Sequence, residues 1–196
     1  MTRLKTALAA VAVAGLLTGP LAGCTATPAP APASAPSAAA GDWLAAHDLA
    51  NRPAEDIVAA LDRDPRPRPL PVRASVRSDL LVLSDGTNET TLPLDGDRFY
   101  LSIAPYVTRT HECFNHNLGT CQGELTGEDV KVTITDDAGA VLVDSDVTTY
   151  ANGFVGFWLP RDITGTVRVR QGDRVGEVPI ATASDSPTCL TTLQLT

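Results

Sequence analysis

Residues that carry metal chemistry crowd into one stretch of this 196-residue chain. Thr110 to Glu124 reads Thr-His-Glu-Cys-Phe-Asn-His-Asn-Leu-Gly-Thr-Cys-Gln-Gly-Glu. It holds Cys113 and Cys121, two of the four cysteines, and His111 and His116, two of the three histidines. Turn-forming Asn115, Asn117 and Gly119 lie among them. Packing alone does not call for four soft or borderline ligands within a dozen residues. Thiolate and imidazole together suit copper(I) or zinc rather than magnesium or calcium.

The elements around this stretch tether it and frame it. Arg3 and Lys5 precede an apolar run, Ala7 to Leu17, that is too short to span a membrane, so residues 1–23 read as an export signal. Leu21-Ala22-Gly23-Cys24 resembles the lipobox of bacterial lipoproteins. That resemblance implies cleavage before Cys24 and acylation of its sulfur, with two acyl chains to hold the protein on the outer face of the cell membrane. Residues 24–40 are almost wholly Ala, Pro, Ser and Thr. They cannot bury a core, and as polyproline II they form a tether reaching about 50 Å.

Removing Arg3 and Lys5 leaves 13 basic residues against 23 acidic ones. An acidic body without a basic cluster argues against nucleic acid and against docking on anionic head groups. Residues 41–97 are expected to form a small α+β unit. Asp42 to Leu49 and Pro53 to Leu61 read as short helices, with Asp42 as an N-cap and Ile57, Val58 and Leu61 as an apolar face. Leu80 to Leu83 and Thr90 to Leu94 flank Asp85-Gly86, a hairpin signal. His47 reads as a helix-packing histidine rather than a ligand.

From Arg98 the apolar period becomes two. Phe99, Leu101 and Ile103, then Val130, Val132 and Ile134, then Val167 and Val169 alternate with their neighbours as half-buried strands do. Asp137-Ala138-Gly139 and Gln171-Gly172-Asp173 supply turns. Phe154 to Leu159 reads as a central strand, and Leu193 and Leu195 as a closing one. The fold class is therefore mainly β: a C-terminal antiparallel sandwich over residues 98–196, joined to the small N-terminal unit.

With Cys24 assigned to lipid, three cysteines remain. A Cys113–Cys121 disulfide in an oxidising exterior is worth about 2.5 kcal/mol in the chain-entropy model. It leaves His111, His116 and Cys189 without a role. Thiol–disulfide exchange lacks a Cys-x-x-Cys motif. Zinc through Cys113, His116, Cys121 and a fourth ligand matches no common module spacing. Asp144-Ser145-Asp146 and Asp136-Asp137 read as solvated turn and strand residues. No Gly-x-Ser-x-Gly, phosphate loop or paired-carboxylate pattern points to an enzyme.

The whole of Thr110 to Leu125 resembles the cysteine motif of the CueP family of periplasmic copper-binding proteins. The resemblance runs on through Phe99 to Tyr106, Asp146 to Thr149, Asn152 to Arg161 and Ser186 to Leu193. It implies a three-cysteine site, Cys113, Cys121 and Cys189, with the loop histidine falling on His116; the density of ligands in the loop adds His111 as the second histidine candidate. It implies copper, as copper(I) and also copper(II), with zinc the lesser alternative. It further implies storage, resistance or delivery to an exported acceptor such as superoxide dismutase, and it is compatible with a dimer. The alternatives are a thiol–disulfide redox protein and a non-catalytic sandwich module whose disulfide braces loops.

Overall fold

The computed structural model describes residues 38–196, with side chains from residue 42. The export signal, Cys24 and nearly all of the Pro-rich tether lie outside the described residues. Among the described residues no helix is long and apolar enough to cross a membrane.

Two helices open the described chain, α1 (Ala38–Ala45) and α2 (Ala54–Asp62). The first begins inside the stretch assigned to the tether, so Asp42 lies within the helix and is not its N-cap. Alanines at 38–40 are strong helix formers and extend the helix back through them. His47 lies in the turn after α1, with its ring edge-on to Trp43 at 6.2 Å, which is a packing role. Pro53 caps α2, and Glu55 and Asp56 sit in its first turn, where they favour the positive end of the helix dipole. Ile57, Val58 and Leu61 are buried as their spacing predicts.

Ten strands follow: β1 (Arg73–Val76), β2 (Leu80–Ser84), β3 (Glu89–Pro93), β4 (Arg98–Ile103), β5 (Asp129–Asp136), β6 (Val141–Thr148), β7 (Val155–Pro160), β8 (Thr164–Gln171), β9 (Arg174–Ala181) and β10 (Cys189–Leu190). They form three sheets, ordered β1-β2-β3, β10-β4-β7 and β6-β5-β8-β9. The fold is mainly β, as the period-two pattern predicts. The hairpin at Asp85-Gly86 joins β2 to β3, with Ser84 opposite Glu89. Gly172-Asp173 turns β8 into β9, with Gln171 opposite Arg174 and Gly172 at φ 57°.

Three details differ from the pattern reading. Strand β4 is buried on both faces, not one. Phe99, Leu101 and Ile103 join a cluster with Val130, Val132, Ile134, Val167 and Val169, while Tyr100 joins the cluster of the helices and β1–β2. The middle sheet thus faces apolar packing on both sides, which masks alternation. The β7 run is uninterrupted for the same reason, yet β7 lies at the end of its sheet and β4 is central. The closing strand is β10, which pairs with β4 in parallel: Cys189 opposite Ser102 and Leu190 opposite Ile103. Leu193 and Leu195 are buried but flank only a single bridge, Tyr106 to Gln194. The helix and β1–β2 cluster also takes in Leu118 and partly buried Trp158, so residues from both sides of Arg98 meet in it.

Candidate metal centre

The loop between β4 and β5 is tied to three parts of the fold. Its residues 116–118 lie along β1: Val76 N–H donates to His116 O at 2.8 Å and Leu118 N–H to Ala74 O at 2.9 Å. Asn117 then makes the turn that its type predicts. Its Oδ1 accepts from Gly119 N–H at 3.1 Å, and its carbonyl accepts from Cys121 N–H at 2.9 Å. At Gly119 a Cβ would collide with the Val72 backbone, so the loop can approach β1 this closely only with glycine. Gly123 and Gly153 pack backbone to backbone farther on, Gly153 at φ 78°, and Gly123 N–H donates to Asn152 O at 2.7 Å.

Cys189 enters from the far end of the chain. Phe114 O accepts from Thr188 N–H at 3.0 Å and from Cys189 N–H at 3.2 Å, which joins β10 to the loop. Thr188 Oγ1 accepts from His116 N–H at 3.0 Å and donates to Val76 O at 2.7 Å. One threonine therefore links β1, the loop and β10.

These ties bring the three thiols and two imidazoles together. Cys113 Sγ lies 3.6 Å from Cys121 Sγ, and Cys189 Sγ lies 3.7 Å from His116 Nδ1. All three cysteines are free thiols. Two ligand triads are compact, each with its ligand atoms within 4.8 Å of one another: His111, Cys113 and Cys121, and His116, Cys121 and Cys189. Metal–sulfur bonds of about 2.3 Å and metal–nitrogen bonds of about 2.0 Å put the ligand atoms of a trigonal site roughly 3.7–4 Å apart. The two measured separations are close to that range. Phe154 and Ala104 pack against the cysteines, and the Phe154 ring lies 4.4 Å from that of His116.

Behind His116 stands a buried polar network that no motif in the sequence announces. Asp62 Oδ1 accepts from His116 Nε2–H at 3.0 Å and from Asn152 Nδ2–H at 2.7 Å, and Asp62 Oδ2 accepts from Tyr100 O–H at 2.6 Å. The side chains of Asp62 and His116 are fully buried. A carboxylate only accepts, so Nε2 carries a proton, and in the neutral imidazole that a metal would bind, Nδ1 presents its lone pair to the thiols. This carboxylate–histidine arrangement is the one that orients metal-binding imidazoles.

The charges follow the geometry. Burial pulls the His116 imidazole down, but the Asp62 carboxylate outweighs it and holds the pKa well above the usual histidine range. Burial pushes Asp62 up, yet His116, Tyr100 and Asn152 bring it below the ordinary carboxylate value. Burial and Asp62 push the Tyr100 phenol far up, so it stays a donor. Hydrogen bonding from Cys113, then from Cys189 and His116, lowers Cys121. The neighbouring thiols Cys113 and Cys121, with burial, raise Cys189. The lowered Cys121 is thus the sulfur best placed to act as a thiolate, and His116 must give up its Nδ1 proton before that nitrogen binds a metal.

The five metal-ligand candidates singled out in the sequence therefore meet in this cluster. Asp62, Tyr100 and Asn152 escape sequence reading. Tyr100 sits on the face of β4 that alternation marks as outward, and Asn152 looks like an ordinary Asn-Gly turn. Asp62 does leave one trace: an acid in the last turn of a helix opposes the helix dipole and needs a partner. Arg68 relieves that end by donating to the carbonyls of Leu61 at 3.0 Å and Asp62 at 3.3 Å, and it also grips Leu118 O at 3.0 Å. The weaker acidic groups are engaged elsewhere: Asp144 with Lys131 at 2.9 Å, and Asp136 with Ala140 N–H at 2.8 Å.

The family model described as periplasmic copper-binding protein CueP matches residues 56–194. A solved structure titled "Crystal Structure of S.CueP" is 48% identical, with a TM-score of 0.79 over 83% of this chain and 100% of the other. No curated protein is matched.

Proposed function

The chain belongs to the CueP family of periplasmic copper-binding proteins, and on that premise we propose that it captures copper(I) through Cys113, Cys121 and Cys189, with His116 as the imidazole ligand and His111 beside it. The observation that carries this reading is the position of Cys189, whose sulfur shares one 4.8 Å ligand group with Cys121 and His116. A loop brace needs only Cys113 and Cys121 and gives no reason for a third thiol to be buried against them. Soft sulfur donors select copper(I), and imidazole extends the set toward copper(II) or zinc.

The role is capture and holding of copper outside the cytoplasm, for sequestration or hand-over to an exported acceptor. Holding requires the thiols and imidazole to lose protons, so binding weakens with acid. The lipobox-like Leu21-Ala22-Gly23-Cys24 supports a lipid anchor on the outer face of the cell membrane. Cys24→Ala should release the protein from membranes or leave its signal uncleaved, and a wild-type protein that is wholly soluble excludes the anchor.

Oxygen-free titration of the reduced protein with copper(I), in competition with a calibrated chelator, tests the site. Cys189→Ser should lower affinity at least tenfold, because a hydroxyl is a hard and poorly ionised replacement for thiolate. Affinity equal to wild type removes Cys189 from the site.

A further inference from the structure

The ligands fall into two triads that share one sulfur, and they differ in environment. Cys121 belongs to both. His116 and Cys189, its inner partners, are buried, while His111 and Cys113, its outer partners, are partly exposed. His111 and Cys121 line one surface depression with Gln122 and Glu124, and His111 and Cys113 line another with Tyr106 and Thr191. A single three-cysteine site uses only one imidazole and leaves His111 idle. Yet His111 Nε2 is shielded from solvent and has no hydrogen-bond partner. A shielded polar nitrogen without a partner carries a cost of about 1–3 kcal/mol unless something binds it.

We infer that the cluster holds two copper(I) ions per chain, one in each triad, bridged by the Cys121 sulfur. This rests on the copper reading above and deepens it. A thiolate has lone pairs to spare for a second soft ion, whereas an imidazole nitrogen has one. The shared ligand is accordingly a cysteine, and each triad has its own histidine. Charge points the same way. Three thiolates with one copper(I) carry a net −2 beside buried Asp62, and a second ion reduces this to −1. Buried uncompensated charge is costly, so the second ion relieves the site. Each binding thiol that carries a proton, and His116 at Nδ1, releases it to solvent, and neither copper ion changes oxidation state. The inner ion sits behind Phe154 and the loop, while the outer ion is open to the surface depressions and exchanges first.

The test is the same reducing, oxygen-free titration of the full mature chain, read for stoichiometry, with the mass in solution measured alongside. Wild type should withdraw two equivalents of copper(I) from the chelator while staying monomeric. His111→Ala should withdraw one, at the affinity of the tighter wild-type ion. X-ray absorption of the two-equivalent form should show a copper–copper vector that the one-equivalent form lacks. Saturation of wild type at one equivalent overturns the two-ion site and leaves the copper reading standing. Two equivalents retained in His111→Ala, or two ions reached only by joining two chains, overturns it as well. No uptake at all removes the copper reading together with this one.

Discussion

The inner and outer halves of the cysteine cluster are built to different standards. His116 is held on every side: its N–H by Thr188, its carbonyl by Val76 and its Nε2 by Asp62. Thr110, before His111, holds Thr191 O through its hydroxyl, but the His111 ring has only an edge-on contact with Phe154 at 6.2 Å. The inner imidazole is preorganised and the outer one is adjustable. Preorganisation favours retention, because little ordering is left to be done on binding. An adjustable ligand at the edge of a surface depression favours entry and exchange. A holding protein needs both, and here the division follows the line between buried and exposed residues.

The largest test of that contrast is removal of Asp62. Asp62→Ala leaves His116, Tyr100 and Asn152 as buried donors without their acceptor. It should cost about 3–5 kcal/mol of apo stability, as breaking a buried pair does. Urea unfolding checks this, and a cost below about 1 kcal/mol means the inner half is no more tightly built than the outer. Asp62→Asn gives the pH signature. The raised His116 contributes stability that is fully present below its unfolded pKa of about 6.5 and is lost as pH rises through the higher folded value. The lowered Asp62 contributes stability present above about 3.9 and lost as pH falls through its lower folded value. Wild type should therefore exceed Asp62→Asn most between about pH 4 and 6.5, with the gap narrowing on the alkaline side. A gap that widens as pH rises above about 6.5 contradicts the ion pair.

The smallest effect is expected on the outer half. Glu124 accepts from Val107 N–H at 2.6 Å and Thr108 N–H at 2.9 Å, and also from the Thr108 hydroxyl. These bonds lower its pKa to about 2 and pin the segment that leads to His111. Glu124→Gln should leave global unfolding almost unchanged while speeding amide exchange at residues 107–109. In wild type the same loosening should appear only as pH falls toward 2. If those amides keep their protection in the variant, Glu124 does not order the outer loop.

Local chemistry is legible along this chain wherever one face of an element meets one environment. Val130, Val132 and Ile134 alternate because β5 has one face toward a core, and Gly172 marks a turn because its φ is positive. The same rule misreads β4, where Tyr100 faces one apolar cluster and Leu101 another, and β7, whose apolar run lies at a sheet end. It also misreads the chain's close: Leu193 and Leu195 look like a strand, but the pairing belongs to Cys189 and Leu190.

By itself the sequence determined which atoms are available for copper: three thiols and two imidazoles, with turn residues that let Cys113 and Cys121 fold back on each other. Side-chain chemistry and short-range turns are local, so they can be read locally. Only the tertiary structure decided how those atoms are shared and supported. It placed Cys189 on β10 alongside β4, brought Asp62 from the end of a helix 54 residues away to His116 Nε2, and set Asn152 and Tyr100 around that carboxylate. Such contacts depend on which elements pack together across the whole chain, and a buried carboxylate is tolerated only where that packing supplies its donors.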